Sequence, residues 1–275
     1  METPDEGWHE RRVVVDGHTV RVRCSADSPD RLPVVHVHGF AISGAYLMPT
    51  ARRLAGHSPQ VVPDLPGYGG SEGWGHTLGI PALADALLRV LDALELERVV
   101  LLGNSMGCPI SLELAHQVPD RIDRTVLVSP AGGVQNQPLG RALRQLGQDV
   151  LRESTRMAPV ALPDYVRFGP VNAFHLFSEL TRFPSLERLL RTPVPALAVL
   201  GSRDPLMPPP RRVRELAQLA PAHVTVVLVE GAAHAVNFSH PGELAHVVRS
   251  WLDGEEIVDD PDEPGQSRVL QLGGR

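Results

Sequence analysis

Short apolar, β-branched runs alternate along this chain with longer segments whose apolar residues recur every three or four positions. Arg12 to Arg23 alternates around Asp16-Gly17 and predicts two strands joined by a tight turn. Pro33 to Val37, Gln60 to Pro63, Val99 to Leu102, Thr125 to Val128, Ala196 to Leu200 and Val224 to Val229 read as further strands. Helical spacing lies between them: Leu47 to Leu54, Ile80 to Leu94, Ile110 to Val118, Arg211 to Leu219 and Glu243 to Leu252. Strands separated by helices predict an α/β fold. Its sheet is mostly parallel and covered on both faces, with ligands above the carboxyl ends of the strands.

The rhythm breaks after Pro130. Leu139 to Leu151, Val171 to Leu180 and Leu186 to Leu190 have helical spacing, but no strand pattern returns before Thr192. A stretch of this length is too long for a plain connection. The pattern therefore divides the chain into a core (1–132 and 193–253), a helical cap (133–192) inserted after the sixth strand, and a tail (254–275). The tail is acidic, carries Pro and Gly, and is expected to be disordered.

Charge changes the picture in one respect. The formal net charge is −6, but seven acids stand against two arginines from Asp253 onward, so the body is close to neutral. A neutral body argues against nucleic acid as a partner. All 26 basic residues other than histidine are arginine. With no lysine, Schiff-base and P-loop chemistry are excluded. No apolar run approaches the roughly 20 residues of a membrane helix, so no membrane partner is expected. The polar start METPDEGWHERR lacks a secretory pattern, and the two cysteines are too few for a disulfide framework. The expected compartment is the cytoplasm.

The chemistry gathers where strands are expected to end. Gly103-Asn104-Ser105-Met106-Gly107 lies between a predicted strand and a predicted helix. There, G-x-S-x-G makes a tight turn that presents Ser105 Oγ beside the first free N–H groups of the helix. The alternative is a Gly-rich turn with a solvated serine. A serine nucleophile needs a base, and the base needs an orienting partner. Asp204 and His234 each follow a predicted strand and complete the order Ser, Asp, His. Asp64, in Asp64-Leu65-Pro66-Gly67-Tyr68-Gly69-Gly70-Ser71, is the competing acid. Cys108 reads as a small buried hydrophobe, His36 as a packed strand residue and His38 as a brace for its loop. No H-E-x-x-H or paired-cysteine spacing is present, so neither a metal nor another cofactor is expected.

Together with His38-Gly39-Phe40 and Gly201-Ser202-Arg203-Asp204, these motifs resemble the α/β-hydrolase-fold enzymes over Val13 to Leu252. The resemblance implies Ser105 as nucleophile, His234 as general base and Asp204 as its partner. It also implies an oxyanion hole made by the Phe40 and Met106 amides. It is specific for the fold and far less so for substrate. The expected function is cleavage of an ester or related acyl bond in a small, largely apolar molecule, with Phe174 and Phe177 of the cap against the substrate. Gly103 to Gly107, Pro119-Asp120-Arg121-Ile122 and Ser129 to Gly133 also resemble hydrolases that split carbon–carbon bonds of ring-cleavage dienoates. Cys108 replaces a usual glycine of that group, however, and its H-G-x-G-P-G loop is absent. Acyl transfer to an acceptor other than water, and a ligand-binding protein on the same fold, are the other readings.

Overall fold

The computed structural model describes residues 7–26, 30–130, 144, 145, 148, 155–207, 210–259 and 268–273. Among the described residues, nine strands form one sheet in the order β1-β2-β4-β3-β5-β6-β7-β8-β9. Strands β1 (Trp8–Val15) and β2 (His18–Ser25) make the expected hairpin. Its turn places Asp16 and Gly17 at φ 49° and 79°, the left-handed pair that matches strand twist. Strands β3 (Val34–Val37), β4 (Gln60–Pro63), β5 (Val99–Asn104), β6 (Ile122–Val128), β7 (Ala196–Gly201) and β8 (Val224–Val229) run parallel.

Both faces of the sheet are covered, which is why its central strands are mostly apolar and are buried along most of their length. On β5, Val99 and Leu101 pack with α2 (Ile80–Ala93) and α3 (Gly107–Gln117) through Leu83, Leu87, Ile110 and Leu114. Val100 and Leu102 face the other way, toward Leu54 of α1 (Met48–Leu54) and toward Leu244 and Val248. Those last two lie on α9 (Pro241–Asp253). The chain order reverses beside β3, with β4 on one side and β5 on the other. Such a switch point opens a crevice at the carboxyl ends of the two strands. Gly39 follows β3 there and Ser105 follows β5.

Between β6 and β7 the described residues form α4 (Ala158–Phe168), α5 (Pro170–Arg182) and α6 (Ser185–Leu190). Most of the predicted helix over Leu139 to Leu151 lies outside the described residues. Helix α7 (Pro210–Ala217) follows β7, and the short α8 (Val236–Ser239) follows β8.

The expected disordered tail needs correction. Val269–Gly273 forms β9, antiparallel to β8. Val269 is 6% exposed and joins the core, and its N–H donates to Asp259 Oδ1 at 2.7 Å. Beyond the acidic run, Val269, Leu270 and Leu272 supply the apolar pattern that β8 needs on its open side. Acidity dominates the composition of the tail and hides those five residues.

Candidate active site

The site is built at the carboxyl ends of β3, β5, β7 and β8. Ser105 sits at φ 55°, in the left-handed region that a residue with a side chain enters only under constraint. The constraint is the strand–turn–helix geometry. A Cβ on Gly107 would run into Val37 O, and one on Gly103 would run into Gly107 O, so glycine is required at both flanks. The turn is closed by Ser105 N–H donating to Val128 O at 3.0 Å and Cys108 N–H donating to Ser105 O at 3.1 Å. Helix α3 starts at Gly107, so the Met106 amide stands at its N-terminal end.

Asp204 and His234 come from the next loops along the edge. Arg203 N–H donates to Ala232 O at 2.9 Å and holds the two loops side by side. Asp204 Oδ2 accepts from His234 Nδ1 at 2.7 Å, and Asp204 Oδ1 accepts from Leu206 N–H at 2.8 Å. Each residue is 7% exposed. With Nδ1–H donated to the carboxylate, the ring's lone pair lies on Nε2 in the neutral imidazole. Asn104, immediately before Ser105, donates from Nδ2 to His234 O at 3.3 Å and to Val128 O at 3.1 Å. The histidine loop is thereby fastened to the serine turn.

On the β3 side, a Cβ placed on Gly39 would lie 3.3 Å from Ser105 Cβ, so this glycine admits a close approach. His38 Nδ1–H donates to Gly39 O at 3.0 Å while its Nε2 accepts from Leu65 N–H at 2.9 Å. The Phe40 N–H shares a planar trans peptide with Gly39 O and points the opposite way. Holding the carbonyl therefore fixes the direction of the amide. Burial holds the pKa of His38 below the usual histidine value, despite Gly39 O and Asp64 pulling upward. A neutral ring is what this donor–acceptor pairing requires.

A model of the alpha/beta hydrolase family matches residues 34–247 of this chain. The chain belongs to that family. It is 28% identical over 241 residues to a pimeloyl-[acyl-carrier protein] methyl ester esterase of Pectobacterium carotovorum subsp. carotovorum, covering 78% of this chain and 92% of the relative. It is also 28% identical over 151 residues to Protein PHYLLO, chloroplastic, of Arabidopsis thaliana. That match covers 51% of this chain and spans only 9% of the plant protein. Among solved structures, a membrane phospholipase A described as a bacterial virulence factor superposes with a TM-score of 0.76. The two share 22% identity over 90% of this chain and 86% of that one.

The other polar candidates of this alpha/beta hydrolase occupy structural roles. Asp64 is fully buried and uses both oxygens on its own loop and on β2. Oδ1 accepts from Arg23 and Gly44 N–H at 2.8 and 2.9 Å, and Oδ2 from Gly70 N–H at 2.9 Å. Burial pushes its pKa up, but the bond and charge of Arg23 and the Gly70 amide outweigh it, leaving the group below its ordinary value. His234 is hydrogen-bonded to Asp204, and no such bond joins it to Asp64 among the described contacts. Cys108 donates to Gly103 O and Val128 O at 3.2 and 3.4 Å. Its burial drives the thiol pKa well up, so the thiolate is suppressed. His36 is fully buried and hydrogen-bonds Gln60 Oε1 at 2.7 Å.

The two cap phenylalanines part company. Phe177 is 7% exposed, with its ring 5.6 Å from that of Phe40, and the ring of Phe168 lies 6.0 Å from that of Phe40. Phe174 is 57% exposed and does not lie on the buried side of α5 with Leu176, Phe177 and Leu180, so the expectation that it faces substrate is not supported. Helical period alone does not say which of two phenylalanines three residues apart is the inner one. Tyr46 and Asn104, both buried in the site's framework, were not singled out by the sequence reading. The only signal in sequence was the place of Asn104 inside the G-x-S-x-G turn.

Proposed function

We propose that this alpha/beta hydrolase cleaves an ester or related acyl bond of a small, largely apolar substrate through an acyl-enzyme on Ser105. The observation that carries the reading is the 2.7 Å bond of Asp204 to His234, on a loop that Asn104 fastens to a serine held at φ 55°. His234 Nε2 takes the proton of Ser105 Oγ as it attacks the acyl carbon, and Asp204 stabilises the resulting imidazolium. The amides of Phe40 and Met106 receive the oxyanion. His234 then protonates the leaving alcohol, and water repeats the sequence to release the acid. The aromatic cluster of Phe40, Phe168 and Phe177, around the residue whose amide would receive the oxyanion, supports the reading of an apolar acyl or alkyl group. The methyl ester named for the bacterial relative supports ester chemistry over carbon–carbon cleavage.

Ser105→Ala tests it. Hydrolysis of p-nitrophenyl acetate should fall by several orders of magnitude with the melting temperature nearly unchanged, as losses of a triad member do. Activity within about tenfold of wild type rejects Ser105 as the nucleophile.

A further inference from the structure

Tyr46 lies in the turn before α1, well away from the serine in sequence, and is 3% exposed. Its hydroxyl sits between two loops of the site. Gly39 N–H donates to it at 2.8 Å, and it donates to Asn104 Oδ1 at 2.6 Å. One proton and one lone pair are thus used in the sense that each neighbour demands. Asn104 passes the connection on, through Nδ2, to Val128 O and His234 O. The main chain of Tyr46 adds a second tie to the histidine loop. Its carbonyl accepts from Asn237 Nδ2 at 3.1 Å, three residues beyond His234.

Gly39 has no side chain to restrict it, so its two peptide planes need external anchors. His38 holds the following peptide by its carbonyl, and Tyr46 holds the preceding one by its N–H. The Phe40 amide lies just past both anchors. We propose that Tyr46 is a positioning residue: its hydroxyl couples the Gly39 peptide to Asn104 and so keeps the Phe40 amide, Ser105 and His234 in register. This rests on the serine-hydrolase reading above. Removing the bridge deletes no reacting group but loosens their register, the oxyanion donor first, and a displacement of about 1 Å costs on the order of a hundredfold in rate.

The experiment compares wild type, Tyr46→Phe, Asn104→Ala and the double variant as full-length chains. A fluorophosphonate probe titrates reactive Ser105, and p-nitrophenyl acetate hydrolysis gives kcat per titrated serine and KM. Counting rate per titrated site removes any unfolded fraction from the comparison. Tyr46→Phe should lower kcat per site about tenfold to a hundredfold with KM changed less than about twofold. The double variant should be no more than about threefold below the slower single variant, because the pair acts as one bridge. A kcat per site within about twofold of wild type, with only the titre reduced, overturns the proposal and leaves Tyr46 a folding residue. Fully additive losses overturn it as well. Absence of any adduct on wild-type Ser105 rejects the serine reading itself, and the proposal with it.

Discussion

His36, inside β3, and His38, just past its end, show how burial decides what a histidine does. Both are completely buried, and both have depressed pKa values for that reason. That of His36 falls to about 4, burial outweighing the Gln60 hydrogen bond. A base whose folded pKa lies below its unfolded value of about 6.5 takes up its proton more readily when unfolded. Its contribution is therefore fully present above about pH 6.5 and is lost as pH falls toward 4. The loss from His36 is about 3 kcal/mol by pH 4, and His38 adds to it with the same sign. Urea unfolding at pH 7, 6, 5 and 4.5 should show a falling midpoint in wild type. His36→Gln, which keeps a donor for Gln60, should flatten the slope. Parallel pH profiles for the two proteins would assign the acid sensitivity elsewhere.

Among the elements, α4 and α5 matter most because they bring apolar side chains down on Phe40. Their inner face is tied to the core by polar contacts too. Asp164 Oδ2 accepts from Ser43 N–H at 2.8 Å, and Glu179 Oε1 accepts from Ile80 N–H at 3.0 Å, the latter at the N-terminus of α2 where a carboxylate is favoured. We infer that these helices shape the acyl pocket through Phe177 while the chemistry stays with the core. Phe177→Leu should then raise relative kcat/KM for longer acyl chains by roughly tenfold across an acetyl to octanoyl series of p-nitrophenyl esters. Acetate turnover should change little. An unshifted profile together with a lower melting temperature would make Phe177 packing alone. Phe174→Leu, on the exposed side of α5, serves as the comparison and should shift neither.

At the scale of the whole molecule, the sheet is closed at one side by the β1–β2 hairpin and at the other by β9. Without β9, the backbone groups of β8 on that side would stand as an open edge. Glu230 N–H, just past β8, also donates to Arg268 O at 2.7 Å. A chain ending at Gly254 should be less stable by about 2–4 kcal/mol, from the loss of buried Ile257 and Val269 and of ladder hydrogen bonds. Its urea midpoint should fall and its tendency to associate should rise. A midpoint equal to that of the full chain would mean that β9 contributes nothing to holding β8.

The alternation of period-two and helical segments was enough to predict eight of these strands and the mostly parallel arrangement of the sheet. Local periodicity suffices there because each element must bury a face of fixed spacing. That Ser105, Asp204 and His234 each sit past the end of a strand was legible for a related reason, since a parallel sheet collects strand ends at one edge. Other features depended on partners far away in sequence. Asp64 and Asp204 both follow strands and only chain order separates them in the sequence; that the carboxylate of Asp64 goes to Arg23 and two loop amides, and that of Asp204 to His234, is decided by those partners. Phe177 points inward and Phe174 outward because the core beneath α5 is reached from one side only. Tyr46 reaches Asn104 across 58 positions of chain and ties it to Gly39, and β9 forms because β8 offers it an edge. A hydrogen bond or a strand edge is a property of two segments brought together, so only the folded chain could decide these.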